Sequence, residues 1–172
     1  MDKQSQEALT EIVENIGRNN FTGFPMGGPW NPDSPFAVFK TISTNLVGQW
    51  GEKMFEKTFG MKSEPTGLDL PILNADIKTF TRATDRTKFS GFGNQYLKPD
   101  YYFMYLIFPN EYQLYCVPQG DKSIKEQLGV LKDKGKIDVT GVDIERFIEN
   151  GYDSFSLDNL PKHDNNLEKF FS

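Results

Sequence analysis

Apolar residues recur at helical spacing twice in the first third of the chain. Leu9, Ile12, Val13 and Ile16 share one side of a helix predicted over 4–16. Ile42, Leu46, Trp50, Phe55 and Phe59 share one side of a second helix over 40–59, with Gly60 as its C-terminal stop. Gly48 and Gly51 interrupt that helix at about 1 kcal/mol each relative to alanine, so their placement predicts close packing against a neighbouring sheet. Between the two helices, Gly23, Pro25, Gly27, Gly28, Pro29, Pro32 and Pro35 break any regular element over 19–35. That stretch is expected to be a connector covering the core; the alternative is an arm around a nucleic acid, with Trp30 or Met26 near a groove.

Beyond residue 60 the period shortens to two. Ile72 and Leu73, then Ala75 and Ile77, lie on either side of the turn-prone Asn74 and predict a short β-hairpin over 67–79. The segment 81–98 is polar and contains glycines, whereas 101–108 (YYFMYLIF) is apolar throughout and reads as a buried strand. A turn at Pro109, Asn110 and Glu111 returns the chain into another strand over 112–118. Helices are predicted over 123–132 and 143–150, the second ended by Gly151, and 157–172 reads as a tail. The expectation is one α/β domain over 1–172 with a central mixed β-sheet flanked by helices. It divides into an N-terminal helix and Gly/Pro-rich arm (1–36), a core (37–156) and a C-terminal tail (157–172).

Composition narrows the chemistry. With 172 residues, 37% of them hydrophobic, the chain can bury its own core, and its 15 phenylalanines and 7 tyrosines make that core aromatic. The run 101–108 has no interleaved basic residues, which favours packing over base stacking. The single cysteine, Cys116, sits between Tyr115 and Val117 in an apolar stretch, so a buried thiol and a reducing cytoplasm are expected. The N-terminal segment lacks a charged-then-apolar signal pattern, and no run is long enough to span a membrane. The only histidine, His163, lies in a polar stretch, which leaves Ser/His and Cys/His hydrolase triads and Cys/His zinc sites without residues. Neither a P-loop nor a dinucleotide fingerprint occurs, and Gly91-Phe92-Gly93 alone does not indicate a nucleotide cofactor.

Two carboxylates and an amine converge instead. Asp76 and Lys78 are two residues apart in the second strand of the predicted hairpin and therefore share a face, and Asp69 ends the strand before it. Such a pair of oxygen donors suits a hard divalent cation, with the ammonium beside a phosphate or an attacking water. A helix carrying Gly51-Glu52, then Asp69, then Asp76-Ile77-Lys78 resembles the PD-(D/E)xK nuclease superfamily. The run DIKTFT from 76 to 81, followed by FSGFG from 89 to 93, is most similar to type II restriction endonucleases. The likeness covers 48–108. Pro71 follows Asp69 where the motif has a proline before it, the gap between the aspartates is short, and no Gln-x-x-x-Tyr element follows. The resemblance implies a restriction-endonuclease-like fold. It further implies Asp69 and Asp76 as ligands of Mg2+ (or Mn2+), Lys78 at the scissile phosphate or nucleophilic water, and Glu52 as an auxiliary acidic ligand.

The net charge of −5 argues against indiscriminate coating of nucleic acid, but 76–98 carries five basic residues against two acidic ones. Within it, Arg82, Arg86, Lys88, Ser90, Asn94 and Gln95 are the candidate DNA contacts, offering donors for phosphates and base edges. The resemblance also implies double-stranded DNA as substrate and a homodimer that matches palindromic sites. Two other readings stay open: a structure-directed repair or recombination nuclease, and a non-catalytic DNA-binding or interaction module in which Asp69, Asp76 and Lys78 form only an ion-pair cluster.

Overall fold

Asp2 starts the first helix, α1 (Lys3–Val13), by accepting the Ser5 amide on its side chain at 2.8 Å. In this computed structural model the described residues are 1–14, 23–25, 27–82, 89–90 and 99–118. Ala8, Leu9 and Ile12 form the buried side of α1.

The second helix, α2 (Thr44–Phe59), begins four residues later than its apolar spacing predicted. Residues Ala37–Lys40 wind into a 3-10 turn, and Ser43 in extended conformation takes the capping position. Gly60 ends α2 in the left-handed region at φ 72°, where its amide reaches the Glu56 carbonyl at 2.8 Å.

Four strands form one mixed sheet in the order β2-β1-β3-β4: β1 (Ala75–Arg82), β2 (Phe89–Ser90), β3 (Tyr101–Ile107) and β4 (Tyr112–Pro118). β1 and β3 run parallel with Asp76 beside Tyr102 and Lys78 beside Met104; β2 on β1 and β4 on β3 are antiparallel. The short β2 was not foreseen in the polar 81–98 segment. Thr81 pairs with Ser90 and Arg82 with Phe89.

Alternation along the strands gives the sheet two buried faces. Ala75, Ile77, Phe103, Tyr105, Ile107, Leu114 and Cys116 join the core under α2, and α1 packs against α2 and contributes to the same core. Trp50 is completely buried there, edge-on to Phe39, Tyr105 and Tyr112, and its indole N–H donates to the Ser5 carbonyl of α1 at 3.2 Å. Asp76, Phe80, Tyr102, Met104 and Leu106 are buried on the opposite face. Both described helices thus lie on one side of the sheet rather than flanking it.

Trp30 is the anchor of the Gly/Pro-rich stretch. It is buried, its indole N–H donates to the Arg82 carbonyl at 2.8 Å, and the Lys40 ammonium sits 5.0 Å above its ring. At Trp30 the stretch covers the core, as expected of a connector; residues 19–22 and Met26 lie outside the described residues. The same is true of the expected helices over 123–132 and 143–150, the tail over 157–172, and His163. No helix among the described residues is long and apolar enough to cross a membrane.

Candidate functional site

The predicted hairpin is reduced to a single bridge. Leu70 and Ala75 exchange both backbone hydrogen bonds, at 3.0 and 3.1 Å, around a 3-10 turn at Pro71–Leu73 and a left-handed Asn74 at φ 46°. That bridge fixes what lies on either side of it. Asp69 and Asp76 are the residues that flank this bridge, one on each side of the turn. The six-residue gap between the aspartates is therefore the length that closes this turn.

Two further hydrogen bonds lock the pair. The Ile77 amide donates to Asp69 Oδ2 at 2.8 Å, and the Asp69 amide approaches Asp76 Oδ1 at 3.4 Å. Asp76, only 4% exposed, forms an ion pair with Lys78 Nζ from two positions along the same strand. Burial, together with the hydrogen-bonded and negatively charged Asp76 carboxyl, pushes the Asp69 carboxyl up to about 7, against the opposing pull of the Ile77 amide and Lys78.

Tyr102 is a neighbour that strand patterning did not single out. It lies beside Asp76 in register, and burial and the Asp76 charge push its hydroxyl up to about 12. Only the parallel pairing of β1 with β3 brings it there, and no local motif in the sequence encodes that register.

Glu52 is not brought to this site. It extends from α2, which packs on the other face of the sheet, and Glu52 Oε2 accepts from Ser63 Oγ at 3.0 Å. There it lines a cleft of about 420 Å³ together with Ile12, Gln49, Lys53, Glu56, Lys62 and Ser63. Among the described residues no three Asp, Glu, His or Cys side chains converge on a common point. Among the described residues Asp69 and Asp76 are the two carboxylates brought together here, and magnesium commonly takes one or two carboxylates and completes its shell with water and substrate phosphate.

Of the candidate DNA contacts, Arg82 ends β1 half-buried, and its Nε is enclosed without a hydrogen-bond partner among the described residues. Ser90 belongs to β2. Arg86, Lys88, Asn94 and Gln95 lie outside the described residues. No protein-family model, curated protein or solved structure matches this chain.

Proposed function

We propose that the chain is a magnesium-dependent endonuclease of double-stranded DNA, of the type II restriction kind within the PD-(D/E)xK superfamily. The observation that carries this reading is a pair of carboxylates tied together by hydrogen bonds, Asp76 buried and Asp69 half-buried. Like charges held close together repel, and a half-buried carboxylate with a raised pKa is a costly way to brace a turn. Asp69 and Asp76 stand in that arrangement with Lys78 attached to one of them. An arrangement that costs stability and gathers oxygen donors around one point is what a cation site requires.

Asp69 and Asp76 would hold the ion, which supplies charge neutralisation at the phosphate and a more acidic bound water. Lys78, tethered to Asp76, stands where its ammonium meets a phosphate oxygen or orients a water for attack on phosphorus in line with the leaving oxygen. Tyr102 walls the pair on the β3 side and keeps bulk water from Asp76. Arg82, six residues along the same strand, offers a cation for a neighbouring phosphate. Glu52 has no part in this scheme. A homodimer on a palindromic site and a cytoplasmic setting belong to the same proposal.

Digestion of unmethylated phage-length DNA with magnesium tests the reading, with Asp76→Ala and a chelator as controls. Discrete fragments lost in both controls are expected. A structure-directed nuclease would instead cut branched DNA without a ladder. Failure to cut linear or branched DNA with magnesium or manganese would leave the carboxylate pair as an ion-pair cluster in a binding module.

A further inference from the structure

We propose that the Pro71-Ile72 tip is an apolar wedge that enters the duplex beside the phosphate being cut and unstacks a base step; this rests on the nuclease reading above. Ile72 is 80% exposed and is the one large hydrophobic residue left in solvent among the described residues. It does not sit on a loose loop. Leu70 and Leu73 on either side are buried, the Leu73 amide reaches the Leu70 carbonyl at 3.1 Å, and the Asn74 amide reaches the Pro71 carbonyl at 3.1 Å. The Asp100 amide ties the Asn74 carbonyl to the start of β3 at 2.7 Å, and Pro71 fixes its own backbone dihedral. The fold thus presents one isoleucine on a braced turn.

The size of the apolar surface decides what meets it. A stable contact with a second copy of the chain needs about 800 Å² on each partner. Beside it in the chain Pro71 and Asn74 are exposed, and no other large hydrophobic residue is exposed among the described residues, so they offer a single apolar side chain here. Nucleic acid is the partner for which one apolar side chain suffices, because isoleucine, leucine, methionine or proline inserted at a base step unstacks it and kinks the duplex. Position agrees with this. Ile72 is three residues from Asp69 and four from Asp76, which bounds its distance from the carboxylates at about 10–14 Å of extended chain. With bases rising about 3.4 Å along a strand, the wedge falls within a few steps of the bond that the carboxylates address.

The test uses the full chain and a duplex spanning a step that the protein cuts, with 2-aminopurine placed in turn at the flanking positions. Ile72→Ala, Ile72→Asp and Ile72→Met are compared with the unaltered protein under single-turnover conditions with magnesium. All three should keep the melting temperature, since Ile72 is exposed. The unaltered protein should raise 2-aminopurine fluorescence at one position before cleavage. Ile72→Ala and Ile72→Asp should lose that rise and about tenfold or more in kcat/KM, and Ile72→Met should restore both. Cleavage by the unaltered protein without any fluorescence rise, or an undiminished rise and rate in Ile72→Ala, would overturn the wedge while leaving the nuclease reading intact. Absence of cleavage and of duplex binding by the unaltered protein would overturn both.

Discussion

Asp69 carries the clearest pH signature in the molecule. Its folded-state pKa, about 7, lies above the ordinary carboxylate value, so the folded protein binds a proton there that the unfolded chain has already released. The stabilisation is complete at acid pH and drains away as pH rises from about 4 to 7. Unfolding in urea with chelator present should therefore show stability falling across that window, and Asp69→Asn should flatten the slope. On the proposed function, magnesium would act in the opposite sense, because it would compete with the proton on Asp69. It should raise the melting temperature more at pH 8 than at pH 6, and Asp76→Ala should abolish the effect. At this scale the sequence was informative where chemistry depends on local spacing. Period-2 alternation placed Asp76 beside Lys78, and the gap to Asp69 matched a turn. It was misleading for Glu52, because helix periodicity cannot say which face of a sheet the helix will cover. It was silent on Tyr102, whose approach to Asp76 depends on pairing across 26 positions of chain.

Helix and sheet approach closely where α2 packs on β1, and the two glycines of α2 divide there. A methyl added at Gly51 would overlap Thr79 Oγ1 and press on Thr79 Cβ and Tyr105 Cδ2, at 3.2 and 3.3 Å. At Gly48 it would meet nothing within 4 Å. The prediction of close helix–sheet packing thus holds for Gly51 alone. Gly51→Ala should destabilise by about 1–3 kcal/mol despite the gain in helix propensity, whereas Gly48→Ala should stabilise by up to about 1 kcal/mol. Thermal melts of both variants decide this. Thr79→Ala removes the group in the way, so the double variant Gly51→Ala/Thr79→Ala should be less destabilised than the sum of its parts. The strands over 101–108 and 112–118 were legible because continuous apolar runs leave little choice of element. The late start of α2 was not, since Ile42 is buried from an extended residue just ahead of the Ser43 cap and so imitates helical spacing. β2 was missed because a two-residue strand owes its existence to its partner, not to its own sequence.

For the molecule as a whole, the described residues stack α1 and α2, packed on each other, against one side of a mixed sheet buried on both faces. Trp30 closes the end of this stack from a segment whose composition gave no hint of burial. Its large ring, the hydrogen bond to Arg82 and the Lys40 ammonium over it should make Trp30→Ala cost about 3–5 kcal/mol, and Trp30→Phe distinctly less, in chemical denaturation. Charges between the helices contribute little by comparison. Glu11 of α1 meets Lys57 at 2.7 Å and Lys53 at 3.9 Å, but these pairs are solvent-exposed enough for salt to screen them.

Cys116 gives the chain an internal clock. As the only cysteine, facing the core from β4 with burial pushing its thiol up to about 12, it is inert to alkylating reagents while that strand stays in place. Its rate of modification then counts the openings of the β4 edge one event at a time. That count gives, without any label, the frequency with which the sheet beneath the carboxylate pair comes apart.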